Sequence, residues 1–197
     1  HLSDRRQRQM CIRDSPTPSN GKSYISRNLA EKLSELGKRV LLLDGDWKRG
    51  DLHKNLSKEK ISLKEFNLIN EDNIEKYQVR KFFYFIPKVS GVSNSFQYLY
   101  SSTFADKMLE LNNSFDYIII DTAPLLSVSD TAILMGQADL RFCVARHNLT
   151  KVNEIKQLLT ICNQLGTNFT GLIYNSYERP SSYYGYYGLY GLSLIHI

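Results

Sequence analysis

The segment Leu41-Leu42-Leu43-Asp44-Gly45-Asp46 joins a short apolar run to two carboxylates. A continuous apolar run of this length is typical of a central parallel strand that is covered on both faces. Ligands of open α/β sheets bind at the carboxyl ends of such strands. The segment therefore predicts a ligand site that contains Asp44 and Asp46.

A second apolar strand with an acidic end follows later in the chain. Residues 115–124 read Phe-Asp-Tyr-Ile-Ile-Ile-Asp-Thr-Ala-Pro, and the apolar part ends at Asp121. A carboxylate at this place matches a Walker-B aspartate, which orients Mg²⁺ through water. We expect Asp121 to lie beside Asp44 and Asp46, because the carboxyl ends of parallel strands meet at one edge of the sheet.

Ser19-Asn20-Gly21-Lys22-Ser23 precedes an apolar helical pattern and has the form of the second half of a phosphate-binding loop. Backbone N–H groups at a helix start attract phosphate, Lys22 would neutralise it, and Ser23 would ligate Mg²⁺. The leading glycine of the full motif would fall at Pro16. Gly-Lys-Ser alone is weak, but together with the acidic strand ends it favours a nucleotide site over chance.

The remaining pattern alternates strands and helices. Further strands are predicted at 82–86, 141–145 and 170–174, and helices at 21–37, 103–111, 129–137 and 150–165, while 46–80 is a polar insertion. Ile25, Leu29, Leu33 and Leu36 form the stripe of the first helix. This alternation predicts a three-layer α/β/α fold with a parallel sheet flanked by helices, as in P-loop NTPases of the deviant Walker type.

Composition excludes several classes of protein. The 197 residues are 42% hydrophobic and 23% charged, which excludes a disordered or collagen-like chain. No window approaches the ~20 apolar residues of a membrane span, so we expect a soluble chain. Cys143 and Cys162 lie in apolar periodic segments and predict buried reduced thiols in a reducing compartment. His53 and His147 have no Cys/His cluster around them and predict no metal site.

Both ends of the chain back-translate into one transposon mosaic-end sequence read in opposite directions. Met10 to Ser15 fit ATG TGT ATA AGA GAC AG, and Leu192 to Ile197 fit CTG TCT CTT ATA CAC ATC. We therefore interpret 1–14 and 192–197 as sequencing-adapter artefacts. Without them the net charge falls from +5 to about +3, since four arginines and two aspartates are removed. The basic start is then no nucleic-acid arm, and we expect no nucleic-acid partner.

These interpretations divide the chain into a domain at 15–180, truncated at its N-terminus, and a flexible tyrosine-rich tail at 181–191. The strand that should feed the phosphate loop would lie upstream of Ser15. We expect residues such as Met10 to Arg13 to take the place of that strand.

The chain resembles the bacterial tyrosine kinases of the Wzc/Etk type, the autokinase domains of polysaccharide co-polymerases. The resemblance covers 15–191 and is carried by the motifs Pro18-Ser19-x-Gly21-Lys22-Ser23, Leu43-Asp44-x-Asp46-x-Lys48-Arg49-Gly50, Asp116-Tyr117-x-x-x-Asp121-Thr122-x-Pro124 with Asp130, and Gly171-Leu172-Ile173-Tyr174-Asn175-Ser176. The tail matches the family's C-terminal tyrosine cluster with Tyr183, Tyr184, Tyr186, Tyr187 and Tyr190.

The resemblance implies ATP and Mg²⁺ as cofactors and a role for each matched residue. Ser19, Asn20, Gly21, Lys22 and Ser23 would cradle the phosphates, with Lys22 on the β- and γ-phosphates, and Asn175 would meet the adenine. Ser23, Asp46 and Asp121 would hold the metal and its waters. Asp44 would accept the proton of the incoming tyrosine, with Lys22 and Asp46 as the other catalytic groups.

The resemblance also implies partners and location. Tail tyrosines would be phosphorylated between protomers of a homo-oligomeric ring, under a membrane-embedded activator region of the parent chain and opposed by a phosphotyrosine phosphatase. The parent would work at the cytoplasmic face of the bacterial inner membrane in capsular or exopolysaccharide synthesis and export. Lys48, Ala123 and the segment Asn94-Ser95-Phe96-Gln97 depart from the family's usual Arg, Pro and Asn-Pro-Ser-Glu.

Three alternatives stay open at this stage. A ParA/MinD-type switch ATPase shares the sheet and the Asp-x-Asp strand end, although Thr17 stands where that family has its signature lysine. A catalytically dead partner domain would only bind nucleotide or assemble. The tail could also be a Gly/Tyr-rich coil without function. For Trp47, beside the acidic pair, we expect ordinary packing of the ring rather than a role in shaping the entrance for the substrate tyrosine.

Overall fold

The computed structural model describes residues 8–13, 21–56, 58–125 and 130–177, with the backbone alone for 8–13. Its strands in chain order are β1 Arg8–Arg13, β2 Val40–Asp44, β3 Ile61–Ser62, β4 Gln78–Arg80, β5 Phe83–Ile86, β6 Val89–Ser90, β7 Tyr117–Asp121, β8 Leu140–Arg146 and β9 Gly171–Asn175. The helices are α1 Lys22–Glu35, α2 Leu52–Asn55, α3 Leu63–Asn67, α4 Ser95–Leu99, α5 Ser102–Ser114, α6 Asp130–Gln137 and α7 Val152–Gln164, with a 3₁₀ turn at Ile74–Tyr77.

Seven strands form the main sheet in the order β4-β5-β2-β7-β1-β8-β9, and β3 pairs with β6 in a separate two-stranded sheet. All neighbours in the main sheet are parallel except β4, which pairs antiparallel with β5. The predicted α/β class with a parallel sheet is therefore confirmed, and β4 adds an antiparallel strand at one edge that the sequence did not predict. β4 reverses direction because Lys81 and Phe82 form a tight turn before β5, with Phe82 at φ 65.

β1 occupies the central position between β7 and β8. Arg8 lies opposite Tyr117 and Ile12 opposite Asp121 in the register with β7. We expected residues such as Met10 to Arg13 to occupy the position of the strand that precedes the phosphate loop. The pairing of β1 with β7 and β8 confirms this expectation for the fold. In this position β1 connects the strands β4-β5-β2-β7 with the strands β8-β9 in one continuous sheet.

Alternate residues of the central strands face two separate apolar layers. Leu41, Leu43 and Ile118 belong to the cluster that includes the aromatic residues of α3 and α5, whereas Leu42 and Ile119 belong to the cluster that includes α1. Both faces of β2 are buried, which explains its uninterrupted apolar run. A third cluster joins α6, α7 and β8 around Met135, Cys143, Leu158 and Cys162, with both cysteines buried as predicted.

The four predicted helices occur at the predicted positions, but one apolar residue of the first helix does not pack as predicted. In α1, Ile25 is buried and Leu29 and Leu33 pack partly against the sheet, but Leu36 is 75% exposed. The predicted apolar stripe is therefore wrong at Leu36. This residue is the C-cap of α1 and follows its last packed turn. The insertion at 46–80 contains short elements that its weak periodicity does not predict.

Within the described ranges, no helix has both the length and the apolar character needed to cross a bilayer.

Candidate functional site

The carboxyl ends of β2 and β7 place two aspartates side by side. Asp44 pairs with Asp121 at the last position of the parallel register, and the N–H of Gly45 donates to the Asp121 carbonyl at 2.7 Å. Asp44 is fully buried, Asp121 is 4% exposed, and Asp46 follows in the next turn. The three predicted carboxylates therefore lie together at one edge of the sheet.

The start of α1 joins the same cluster. Ser23 Oγ donates to Asp121 Oδ2 at 2.6 Å, and Ser26 Oγ lies 3.1 Å from Asp121 Oδ1. The positive charge of Lys22 acts on Asp121 by lowering the pKa of that carboxyl. The predicted loop residues Lys22 and Ser23 thus lie at the acidic strand end, and Ser26 is a further member that the motif did not include.

Gly21 begins α1 in a left-handed conformation, with φ 88. A Cβ at this position would also overlap the side-chain amide of Asn175, which stands at the end of β9. The chain therefore needs glycine here for two reasons, because L-residues disfavour this φ and because Asn175 leaves no room. The contact brings Asn175 next to Gly21 at the start of α1, and its contact with the adenine stays a prediction from the resemblance.

Two other groups of predicted residues cannot be placed. Ser19 and Asn20 lie outside the described residues, and so do the five tail tyrosines, Tyr183, Tyr184, Tyr186, Tyr187 and Tyr190. Their roles stay predictions.

Burial and mutual repulsion make the carboxylates hard to ionise. Burial, followed by the charges of Asp121 and Asp46, raises the pKa of Asp44 from its ordinary 3.8 to about 8. Burial also raises the pKa of Asp121 to about 6, against the opposing effects of Ser23, Lys22 and Ser26. Asp44 Oδ2 has no hydrogen-bond partner among the described groups. Such a cluster would be stabilised by a cation that binds oxygen ligands.

Lys88 is a member of the site that sequence reasoning missed. It is only 9% exposed, its Nζ donates to the Lys48 carbonyl at 3.0 Å, and its charge lowers the pKa of Asp44. Buried lysines are rare unless a negative group compensates them. The sequence feature that could have identified Lys88 is its position two residues after the apolar strand β5. The carboxyl end of β5 lies at the same edge of the sheet as the acidic ends of β2 and β7.

The turn after Asp46 holds Asp44 by close backbone contact. The N–H of Gly50 donates to the Asp46 carbonyl at 2.7 Å, and Asp46 Oδ1 accepts from the Arg49 N–H at 2.8 Å. A Cβ at Gly50 would overlap both carboxylate oxygens of Asp44. Glycine at this position therefore sets the direction of the Asp44 side chain.

Replacing Gly50 with alanine is expected to destabilise the fold by about 1–3 kcal/mol, because the added methyl group must displace Asp44 or the turn. The measurement is the free energy of unfolding in urea. Gly136→Ala is the matched control, since nothing lies within 4 Å of a Cβ there and its helical position favours alanine by up to about 1 kcal/mol. Equal stability of the two variants would contradict the packing of Gly50 on Asp44.

The raised pKa of Asp44 predicts a pH-dependent stability difference in the absence of nucleotide and divalent cations. Its folded-state pKa exceeds the unfolded value, so its contribution is complete below about pH 4 and is lost as pH rises towards 8. Asp44→Asn has no such titration. Its stability relative to the unchanged chain is therefore expected to increase between pH 4 and pH 8, by about 1.4 kcal/mol for each unit of pKa shift.

Urea unfolding at pH 4, 6 and 8 measures this difference. Asp106→Asn, an exposed carboxylate on α5, is the control and is expected to keep a constant offset from the unchanged chain. A constant offset for Asp44→Asn as well would contradict the raised pKa.

Trp47 and the two histidines take mostly structural roles. Trp47 is 8% exposed and packs against Phe66, Tyr98 and Phe104, which confirms the packing role. His53 is buried, and burial lowers its pKa, while His147 Nδ1 lies 2.6 Å from the Tyr174 hydroxyl. No group of three or more potential metal-binding His, Cys, Asp or Glu side chains occurs in the part of the chain that the structure describes.

Comparisons with known proteins agree with this geometry. The profile of the AAA domain family matches residues 19–171. The tyrosine-protein kinase ptk of Acinetobacter johnsonii is 35% identical over 86% of this chain, which spans about a quarter, 24%, of that relative's length.

Solved structures with the same fold include a tyrosine kinase domain and a ParA family ATPase. The kinase domain of the Escherichia coli tyrosine kinase ETK is 26% identical, with a TM-score of 0.78 over 95% of this chain and 74% of that chain. A ParA family ATPase from Chlorobium tepidum TLS is 18% identical, with a TM-score of 0.71 over 89% of this chain and 77% of that chain. The second likeness concerns the fold alone.

Proposed function

Because the chain belongs to the AAA domain family and is a homologue of Wzc/Etk-type bacterial tyrosine kinases, we propose that it is an ATP-dependent protein-tyrosine autokinase. The observation that carries the proposal is the junction of α1 with the acidic strand ends, where Ser23 donates to Asp121 beside the buried Asp44. A site of this kind holds phosphates and a cation at one edge of a parallel sheet.

ATP is the substrate that this junction fits. The amides at the start of α1 and the ammonium group of Lys22 provide positive charge for phosphates, and Ser19 and Asn20 are proposed as further phosphate-binding residues. Asn175, packed on Gly21, would contact the adenine. Nucleotide binding is the property that the family membership supports most directly.

Mg²⁺ is the cation that fits the oxygen groups present. Ser23, Asp46 and Asp121 would hold it, because hydroxyl and carboxylate oxygens are the ligands that Mg²⁺ prefers. The unpartnered Asp44 Oδ2 and the pKa values of Asp44 and Asp121, which burial raises, indicate buried carboxylates that a cation would stabilise. When bound, the ion would neutralise charge on the phosphate oxygens.

Phosphoryl transfer then requires positioning and one proton acceptor. The phenol oxygen of a tyrosine bonds to the γ-phosphorus while the bond from that phosphorus to the β–γ bridging oxygen breaks. Asp44 accepts the phenol proton, and Lys22 stabilises charge on the transferred group and on the departing ADP. Lys88, close to Asp44 and missed by the motifs, limits the rise of the Asp44 pKa and so helps to keep a proton acceptor available.

The proposed acceptors are the five tyrosines of the tail, at 183, 184, 186, 187 and 190, on a neighbouring protomer of a homo-oligomeric ring. Each phosphate would add about −1.5 to −2 charges to the tail. The parent protein would regulate capsular or exopolysaccharide synthesis and export from the inner face of the bacterial inner membrane. A membrane-embedded region of the parent would activate the kinase, and a phosphotyrosine phosphatase would reverse the modification.

We also propose that the domain runs from 15 to 180 with a tail at 181–191, and that 1–14 and 192–197 come from sequencing adapters. The support is the codon match of both ends to one mosaic-end sequence. Sequencing the gene from unprocessed reads tests this, because a native gene that still encodes 1–14 would overturn the adapter origin.

A mixing experiment tests transfer between protomers. One partner is the Lys22→Met chain with an intact tail, and the other has its five tail tyrosines changed to phenylalanine. We expect phosphotyrosine on the Lys22→Met partner in the mixture with Mg-ATP and in neither protein alone. If phosphotyrosine forms only when the intact site and the intact tail belong to the same chain, that result would contradict transfer between protomers.

A further inference from the structure

A cavity of about 240 Å³ lies beside the acidic site, between the turn after Asp46 and the start of α4. Its walls include the rings of Trp47 and Phe96 and the polar groups of Lys48 and Asp130. Trp47 directly follows Asp46 in the chain, so one wall of the cavity is adjacent in sequence to the proposed metal-binding residues. None of the proposed nucleotide-binding residues lines it.

Asp130 supplies the cavity with an unsatisfied hydrogen-bond acceptor. Its side chain is only 6% exposed, and its Oδ2 accepts from Ser95 Oγ at 2.5 Å and lies 3.8 Å from Lys48 Nζ. Its Oδ1 is buried and has no partner within the described ranges. A buried carboxylate oxygen without a partner is costly, so a guest that donates a hydrogen bond would be stabilised here.

The charges and the walls favour a neutral aromatic donor. Lys48 already stands near Asp130 and reduces the attraction of this carboxylate for a second cation. The Trp47 and Phe96 rings provide apolar contact for a flat ring, and Phe96 is 48% exposed and therefore accessible. A phenol combines a ring with one hydroxyl donor at its tip, which is the pattern of these walls.

We propose that this mainly polar cavity, through the Asp130 Oδ1 that has no partner in the described part of the chain, binds a tyrosine of the tail of a second copy of the chain, as an anchor that is not itself phosphorylated. The choice of occupant rests on the proposed function, in which that tail is the acceptor. Five tyrosines within the eight residues 183–190 allow one to donate to Asp130 while a neighbour reaches Asp44. The anchor would hold the acceptor segment at the site and so lower its KM.

Trp47 is the single tryptophan of the chain and reports on this cavity directly. The test titrates a synthetic peptide of residues 181–191 into the chain, whose own tail tyrosines are changed to phenylalanine to prevent competition. We expect a saturable change in Trp47 fluorescence. A peptide with phenylalanine at all five positions is expected to bind roughly tenfold or more weakly, because it lacks the donor to a charged acceptor.

Two cavity variants and two surface controls complete the test. Asp130→Asn and Phe96→Ala are expected to weaken binding of the tyrosine peptide, and Asp130→Asn also to reduce the preference over the phenylalanine peptide. Asp106→Asn and Leu109→Ala, both at exposed positions of α5, are expected to leave binding unchanged. Thermal unfolding checks that Asp130→Asn folds, and the exposed Phe96 provides a second variant if it does not.

The binding assay contains no ATP and does not depend on kinase activity. Equal affinity for the tyrosine and phenylalanine peptides, or tighter binding of a peptide with lysine at these positions, would overturn the anchor. Absence of phosphotyrosine in a chain that binds the tyrosine peptide would instead count against the proposed kinase function.

Discussion

Exchanging Lys22 for methionine is expected to lower the rate of phosphotyrosine formation by about 10²–10³-fold or more. Lys22 is the first residue of α1, and its charge acts on the buried carboxylate of Asp121 at the acidic strand ends. Methionine has a similar length but no charge, so the γ-phosphate would lose the cationic partner that we propose for it. ATP affinity is expected to fall as well, because the same ammonium group is proposed to contact the phosphates before transfer.

The measurement is the initial rate of phosphate incorporation from labelled ATP. Lys32→Met is the matched control, because Lys32 is on the same helix, is exposed and pairs with Glu35 at the surface. It is expected to retain the rate of the unchanged chain. A Lys22→Met chain that is as active as the Lys32→Met chain would place the phosphates away from the start of α1.

Replacing Asp44 with asparagine is expected to lower kcat by about 10²–10⁴-fold, the range for removal of a general base. Asparagine has the same shape but cannot accept the phenol proton. ATP affinity is expected to change little, because the proposed phosphate and metal groups, Lys22, Ser23, Asp46 and Asp121, remain.

Stability separates this effect from unfolding. The same variant is expected to be more stable than the unchanged chain near pH 8, where ionised Asp44 is unfavourable. Loss of kcat in a more stable protein therefore identifies a chemical role. Asp106→Asn is the control for both kcat and stability, and full kcat in Asp44→Asn would assign the proton to another acceptor.

The adjacency of Asp44 and Asp121 could be predicted because it follows from a general property of parallel sheets. Two apolar runs that end in carboxylates place those carboxylates at one edge, whatever the connecting segments do. The position of Lys22 and Ser23 at the start of α1 could be predicted for a similar reason, since Gly-Lys-Ser precedes an apolar helical pattern.

Contacts between distant segments could not be read from local patterns. Lys88 compensates Asp44 because the chain after β5 passes the turn after β2, and Gly50 is required because the Asp44 side chain folds back onto that turn. The pairing of Ser95 with Asp130 joins α4 to α6, 35 positions apart. The exposure of Leu36 depends on where the sheet ends, which helical spacing does not reveal.

The central claim is that the chain transfers phosphate from ATP to its own tyrosine tail. The most direct measurement expresses the domain from the gene recovered from unprocessed reads, incubates it with Mg-ATP and maps phosphate by mass spectrometry beside a Lys22→Met control. The account predicts phosphotyrosine among the five tyrosines of 183–190 that is absent from the control. ATP hydrolysis without phosphotyrosine would contradict it and would identify a ParA/MinD-like switch ATPase.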